Sequence, residues 1–225
     1  GMMWVATRGG GLNRFDRAAG KFSAYRHNPA DPNSISDNNL WSIIQDSHGS
    51  IWITTERGGL NRFERTTGTF VAYTNNPNNP NTISHNDVFW LCEDRSGVLW
   101  ISSRRNGVNK LYPALQRFVK YQHVAEDPGS LNVDGIVAIL AMPSGGVWVG
   151  TDSGGLNYLD RRAGTNTLYM NNPADPNSIS SNQLYALYQD EAGSLWVATQ
   201  GGGLNRLNQK TGTFEHFRLD PANAE

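Results

Sequence analysis

A single tryptophan position recurs at a constant interval along the whole chain, and this regular spacing constrains the fold more than any other feature. The residues at this position are Trp4, Trp52, Trp100, Trp148 and Trp196. Eight residues after each of them stands an aliphatic residue followed by Asn, as in Leu60-Asn61. A fixed period of about 48 residues indicates a repeat architecture in which each copy is one supersecondary unit that packs on its neighbours.

The copy between residues 38 and 73 shows what one repeat contains. Its apolar, β-branched and aromatic runs predict four strands, over 39–46, 50–55, 60–64 and 69–73. Short turns containing Gly separate the runs, and a connector with two Pro residues follows the fourth strand because Pro cannot continue a ladder. No segment shows the 3.6-residue apolar stripe of a helical solenoid. Four short strands repeated at this period predict a β-propeller blade.

The repeats predict an all-β chain that forms a single β-propeller domain, 1–225, of four-stranded antiparallel blades. The first copy starts at its second strand and the last ends in a connector at 219–222, so four blades are complete and one lacks its inner strand. The predicted blades cover residues 3–25 in part, 38–73, 86–121, 134–169 and 182–217. Such a partial ring exposes apolar blade faces, so we expect it to close under strain, to pair with a second copy as a dimer, or to need flanking blades. Of these outcomes, self-association is favoured over a monomer.

The overall composition excludes several classes of partner. The net charge is −1, from 19 basic and 20 acidic residues, which provides no global field for nucleic acid. No apolar run approaches the length of a membrane span, so no membrane contact is expected from this segment, and the first residues do not form a signal peptide. Cys92 is the only cysteine, which excludes an internal disulfide.

The sequence shows no catalytic, metal or cofactor motif, and we predict none of the three. The five His residues lack metal-ligand spacing, and neither a P-loop nor a nucleophile elbow occurs. Asp46, like Asp94 and Asp190, ends an inner strand before a Gly turn and is predicted to cap that turn. A carbohydrate-active lyase or hydrolase stays open as an alternative, because carboxylates from different blades, such as Asp87 and Asp134, could form a catalytic pair.

Candidate ligand-binding residues cluster where the copies differ. The turn between the second and third strands shares one face of a blade with the connector, and variation on a fixed frame suits recognition. From these turns we predict Arg8, Glu56, Arg57, Arg104, Arg105, Asn106, Asp152 and Gln200. The inner strands begin near the same face and contribute Asn39, Trp41, Asp87, Phe89, Asp134, Gln183 and Tyr185. Adjacent guanidinium groups could hold a carboxylate or sulfate, and aromatic rings beside amides and carboxylates suit a sugar, although the same aromatics could simply pack between blades.

The third copy departs most from the repeat. Pro113 lies near the turn between its third and fourth strands, and Asn106-Gly107 replaces the usual Gly-Gly. The next inner strand, 136–142, has lost the Gln-Asp ending. Such irregularity can mark a functional site or reflect drift.

The repeat resembles the two-component regulator propeller repeat, and the resemblance covers essentially the whole chain. The residues that carry it are Gln45-Asp46, Gly49, Ile51-Trp52-Ile53, Thr55, Gly58-Gly59-Leu60-Asn61-Arg62-Phe63, Thr67-Gly68 and Phe70. The string recurs around the later tryptophans of the series, and its second half opens the chain.

The resemblance implies a non-catalytic, ligand-binding sensor module of a bacterial signalling protein, in the periplasm or otherwise outside the cytoplasm. Related sensors in gut bacteria read polysaccharide fragments, so the implied ligand is a small molecule or oligosaccharide. The family has more blades than this chain, followed by a linking β-domain, a membrane segment and an output domain, so the chain is expected to be a fragment or a short stand-alone relative. A scaffold propeller for protein interaction or self-association is the alternative from another class.

Overall fold

The computed structural model describes residues 2–143, 145–160 and 162–218, and all regular secondary structure in this part is β. One sheet has three strands and four sheets have four, and within each sheet the strands are antiparallel and neighbour each other in chain order. The predicted all-β architecture of four-stranded propeller blades is confirmed, and the first sheet has three strands within the described residues. The described residues include no helix capable of crossing a membrane.

The chain divides into two compact units, Gly1–Tyr121 and Gln122–Glu225. The predicted connector at 219–222 lies outside the described residues, and the assignment of one domain over 1–225 stays a prediction. The first unit holds β1 (Met2–Ala6), β2 (Leu12–Asp16), β3 (Lys21–Tyr25), β4 (Leu40–Gln45), β5 (Ile51–Thr55), β6 (Leu60–Glu64), β7 (Thr69–Tyr73), β8 (Val88–Glu93), β9 (Leu99–Ser103), β10 (Val108–Tyr112) and β11 (Arg117–Tyr121). The second holds β12 (Ile136–Ala141), β13 (Val147–Thr151), β14 (Leu156–Asp160), β15 (Thr165–Tyr169), β16 (Leu184–Gln189), β17 (Leu195–Thr199), β18 (Gly203–Asn208) and β19 (Thr213–Phe217).

In each unit one of the repeated tryptophans packs between two successive sheets, as the sequence predicted. In the first unit Trp52 is 1% exposed and belongs to a cluster with Leu91 and Leu99 of the next sheet. In the second unit Trp148 packs with Leu184 and Leu195 in the same way. Each sheet alone has an apolar face that it cannot bury, and the tryptophan fills the space where two such faces meet.

An aspartate fixes both this tryptophan and the turn between the first two strands. The Asp94 carboxylate accepts hydrogen bonds from the backbone N–H of Ser96 at 2.8 Å and of Val98 at 3.2 Å, and from Trp100 Nε1 at 3.0 Å. The equivalent Asp46 and Asp190 each accept the indole N–H of their own tryptophan at 2.8 Å. The predicted capping role is confirmed, and the residue also satisfies a buried indole donor.

The sheet β12–β15 lacks this aspartate. Met142 stands in its place, and Trp148 Nε1 is buried with no hydrogen-bond partner in the part of the chain that the structure describes. Gly146 allows Tyr158 to approach here, because a Cβ at position 146 would lie 2.1 Å from the Tyr158 hydroxyl. The ring centroids of Tyr158 and Trp148 are 4.5 Å apart. Aromatic packing therefore replaces the hydrogen bond.

Candidate functional site

A β-bulge near the start of the inner strand positions the variable aromatic residues. In all four complete blades the ladder between the first and second strands shifts register at this point. The residues skipped by the ladder are Trp41, Phe89 with Trp90, Val137 and Tyr185. The three predicted inner-strand aromatics, Trp41, Phe89 and Tyr185, therefore all lie at bulges, which re-aim a side chain without ending the sheet.

In two of these blades a hydroxyl stabilises the bulge. Thr54 Oγ1 accepts the backbone N–H of Ser42 at 2.9 Å, and Ser102 Oγ accepts that of Trp90 at 2.7 Å. Thr54 Oγ1 also donates to the carbonyl oxygen of Phe89 at 3.0 Å, which ties the bulge of one sheet to the inner strand of the next. A repeated hydroxyl in the second strand is the sequence signal that could have located these bulges.

Two arginines and two aromatic rings from three blades meet in the first unit, and we call Arg8, Trp41, Phe89 and Arg104 the cation–aromatic cluster. The guanidinium carbon of Arg8 lies 5.1 Å from the centre of the Trp41 ring, and that of Arg104 lies 5.3 Å from it. Arg104 is also 5.2 Å from the Phe89 ring, and the two rings meet edge to face at 5.3 Å. Both arginines remain exposed, so the cluster presents cationic donors beside aromatic surface.

Two carboxylates border the cation–aromatic cluster. Asn39 Nδ2 donates to Glu56 Oε2 at 2.8 Å, which fixes that side chain. Asp87 Oδ1 and Trp41 Nε1 are both buried and neither meets hydrogen-bond geometry among the described residues, although Trp41 is close enough to Asp87 to lower the pKa of that carboxyl. Burial raises the pKa of the Asp87 carboxyl above its ordinary value, and the nearby Arg104 guanidinium is the largest influence that lowers it again.

The other predicted residues of the first unit stand apart from these rings or have structural contacts. Arg57 is exposed, and its backbone N–H donates to Asp37 Oδ2 at 2.8 Å. Arg105 is exposed, so the predicted pair of adjacent arginines is divided between one side chain on the rings and one in solvent. Asn106 exchanges hydrogen bonds with Ser84, through its carbonyl oxygen at 3.0 Å and its Nδ2 at 3.3 Å.

In the second unit, Asp134 caps the preceding connector. Its Oδ1 accepts the backbone N–H of His123 at 2.7 Å, and Asn86 accepts that of Asn75 at 2.7 Å in the same manner. The signal for this role was that Asp134 stands one full repeat after Asn86. Asp87 is in phase with Gly135 and not with Asp134, so the two aspartates occupy different positions of the repeat.

The remaining predicted residues of the second unit lie at a turn and at the start of an inner strand. The backbone N–H of Gln200 donates to the carbonyl oxygen of Gln183 at 2.8 Å. Asp152 is exposed, and its Oδ1 accepts the hydroxyl of Ser153 at 2.9 Å. Tyr185 is 60% exposed. These residues belong to two successive blades, and within the described part of the second unit they form no stack of rings and cations like that of the first unit.

His85 was missed by sequence reasoning. Its Nδ1 accepts the backbone N–H of Asp87 at 2.9 Å, and after Arg104 it is the next influence that lowers the pKa of the Asp87 carboxyl. No group of three or more His, Cys, Asp or Glu side chains suited to a metal ion occurs within residues 2–143, 145–160 and 162–218. What the site offers chemically is cationic donors, aromatic faces and a carboxylate that Asn39 holds beside them.

Solved structures similar to this chain include extracellular domains of signalling proteins. One, described as belonging to a putative hybrid two component system of B. thetaiotaomicron, is 27% identical with a TM-score of 0.82, over 96% of this chain and 28% of that one. A second from the same organism is 26% identical with a TM-score of 0.75, over 98% of this chain and 30% of the other. This chain thus spans less than a third of either domain.

A more distant similarity shows the fold alone. Virginiamycin B lyase from Staphylococcus aureus is 16% identical with a TM-score of 0.70, over all of this chain and 68% of the lyase. No curated protein matches the sequence. Residues 34–57, 82–105 and 178–201 match the family model described as two component regulator propeller. Each match covers the end of a connector, an inner strand and a second strand, so three of the repeats in this chain match the two component regulator propeller family.

Proposed function

We propose that this chain is part of a ligand-binding sensor that lies outside the cytoplasm, and that its cation–aromatic cluster binds an acidic carbohydrate. The observation that carries the proposal is the placement of two exposed guanidinium groups, those of Arg8 and Arg104, on the same Trp41 ring. Each retains donors for an acceptor in solution, and a guanidinium matches a carboxylate or a sulfate in a bidentate geometry.

The surrounding groups suit the rest of a sugar. Aromatic surface at Trp41 and Phe89 can pack on the apolar face of a pyranose ring. Asn39 and Glu56, which are partly exposed and joined by a hydrogen bond of 2.8 Å, offer an amide and a carboxylate to sugar hydroxyls.

The similar structures support the class of function. The two extracellular domains come from proteins described as putative hybrid two component systems, which is consistent with a sensor module. Under this proposal the module binds without catalysis, and its signalling output resides elsewhere in a longer protein. The proposed ligand combines the carbohydrate of the sequence prediction with the carboxylate or sulfate that its arginines were expected to hold.

Calorimetric titration with digalacturonate, a sulfated disaccharide and neutral maltose tests this proposal. We expect at least one acidic probe to bind while maltose does not bind at this cluster. Arg104→Ala should weaken that binding by about tenfold or more, because it removes a charge-assisted contact. Arg117→Ala, which removes an exposed arginine from β11, is the matched control and should bind normally. Binding of no acidic probe, or equal affinity in Arg104→Ala, would contradict the proposal.

A second candidate function is association through the sheet β16–β19. Tyr185, Tyr188, Leu204 and Phe217 on this sheet are between 39% and 62% exposed. Apolar side chains at these levels favour coverage by another apolar surface. We propose that this sheet packs on a further blade, supplied by a longer chain or by a second copy.

Light scattering over a range of concentrations tests the second copy. A mass of two chains that Tyr188→Ser converts to one chain would support it. A mass of one chain at every concentration would exclude self-association through this sheet and leave the blade of a longer chain as its partner.

A further inference from the structure

The turn between β10 and β11 departs from its equivalents in the other blades. It reads Pro113-Ala114-Leu115-Gln116, whereas the equivalent turn of the preceding blade reads Arg65-Thr66-Thr67-Gly68. Leu115 is 72% exposed, and Gln116 has a φ of 48° where the other copies have Gly. An exposed leucine side chain is unfavourable in water, and a left-handed backbone is unfavourable for a residue other than glycine. Such a combination points to a role beyond closing the turn.

This turn forms one wall of a cleft of about 550 Å³ within the first unit. Tyr112 and Leu115 line that wall, and the opposite side is lined by His48 and Ser50 of the preceding blade and by Arg62. A volume of this size suits a ligand of one or two rings. The cleft lies at the strand ends that carry the first-to-second and third-to-fourth turns, whereas the cation–aromatic cluster lies at the opposite ends.

Arg62 is the polar group best placed to serve this cleft. Its Nε donates to Glu64 Oε1 at 2.8 Å, and its Nη2 lies 2.7 Å from the same oxygen. A guanidinium has five N–H groups, so this contact with Glu64 holds the side chain in place and uses a minority of its donors. The guanidinium also lies over the Trp52 ring at 5.8 Å, and 26% of the side chain is exposed.

The ion pair between Arg62 and Glu64 also affects which ligand charge the cleft favours. Glu64 balances the charge of Arg62, and Asp46 is engaged by Trp52 and by the turn it caps. Lys110 Nζ lies over the Tyr112 ring at 4.5 Å but is buried and does not line the cleft. A ligand carboxylate would have to compete with Glu64 for the guanidinium. An uncharged oxygen acceptor can use the remaining donors without that competition.

We infer that this cleft is a second binding site, which takes an uncharged ligand with an apolar face and several oxygen acceptors, such as a neutral sugar ring. Tyr112 and Leu115 cover the apolar face, and Arg62 donates hydrogen bonds to the oxygens. The site is independent of the acidic ligand proposed for the cation–aromatic cluster, so either assignment can fail without the other.

Saturation-transfer NMR with phenyl β-D-glucopyranoside tests the inference, because this probe combines an apolar ring with neutral hydroxyl groups. At millimolar probe we expect saturation transfer to both rings. Leu115→Ser and Arg62→Gln should each weaken binding by about fivefold. Leu168→Ser is the matched control, since Leu168 is another leucine that is partly exposed (41%) on the outer part of a blade, and it should bind as the parent does.

Two results would overturn the inference. One is the absence of saturation transfer at millimolar probe. The other is binding that Leu115→Ser leaves intact, or that Arg104→Ala abolishes, because the probe would then occupy another place. Arg62 packs on a core tryptophan, so Arg62→Gln could disturb folding. Leu115→Ser alters an exposed side chain, and it decides the outcome alone if the melting temperature of Arg62→Gln falls.

Discussion

The sheets β8–β11 and β12–β15 follow each other in sequence and differ at both ends of their inner strands. At one end, Asp94 holds the indole of Trp100, whereas Met142 leaves the indole N–H of Trp148 without a partner among the described residues. At the other end, the bulge of the first sheet carries Phe89 and that of the second carries Val137. Both tryptophans are nevertheless buried, with at most 3% of either exposed.

The comparison separates what a blade requires from what it tolerates. Burial of the tryptophan is common to both sheets, so the large apolar surface is the requirement. Its hydrogen bond is dispensable where another ring can pack against it, as Tyr158 does over Gly146. The hydrogen bond to Trp100 and the ring packing on Trp148 stabilise the two sheets in different ways. A hydrogen bond depends on direction, whereas ring packing depends on the space available.

The largest loss of stability is expected when the aspartate that binds the buried tryptophan is removed. Asp94→Ala leaves one buried indole donor and two turn N–H groups without their acceptor, so we expect a loss of about 3 kcal/mol in the free energy of unfolding. Urea denaturation followed by tryptophan fluorescence measures it. Asp160→Ala is the control, because this partly exposed aspartate caps two turn N–H groups and has no tryptophan hydrogen bond among the described residues, so about 1 kcal/mol or less is expected. Equal losses would mean that the indole bond contributes nothing.

A smaller loss of stability is expected when the space that the Tyr158 ring occupies over Gly146 is filled. Gly146→Ser would place its Cβ against the Tyr158 hydroxyl and displace that ring, for a cost of about 2 kcal/mol. Other blades have Ser at this position together with a cation at the position of Tyr158, as in Ser50 with Arg62. The double variant Gly146→Ser/Tyr158→Arg should therefore recover part of the loss in the same denaturation assay. If the double variant loses the sum of both single losses, the two positions are not coupled.

The smallest change in stability is expected at the other end of the inner strand, where Asp87 of the first sheet corresponds to Gly135 of the second. Burial raises the pKa of Asp87 above its ordinary value of 3.8, so the folded state retains the proton to higher pH than the unfolded state. Stability from this group is therefore lost as the pH rises from 3.8 through the folded pKa. Asp87→Asn should remove that dependence, and its stability relative to the parent should increase over this window. A difference that is constant between pH 3 and pH 7 would contradict the assignment.

The sequence predicted most of the fold because the repeat reports it directly. Strand positions, the burial of the tryptophans and the capping role of Asp94 all follow from local composition that recurs at a fixed period. The cation–aromatic cluster was predicted only in its members, because it joins segments around positions 8, 41, 89 and 104 through a bulge that composition does not reveal. Asp134 was placed among candidate ligand residues although its phase in the repeat matches Asn86, a connector cap.

The bulge at the start of each inner strand has a consequence for how such a protein diversifies. A residue that the ladder skips can be exchanged without altering the pairing on either side of it, and the four complete blades contain Trp, Phe with Trp, Val and Tyr at this point. Each complete blade thus supplies a bulge position that can vary while the rest of the blade is unchanged. Duplication of a blade adds another bulge position, and a new binding specificity can arise by single substitutions at these positions while the blades remain folded.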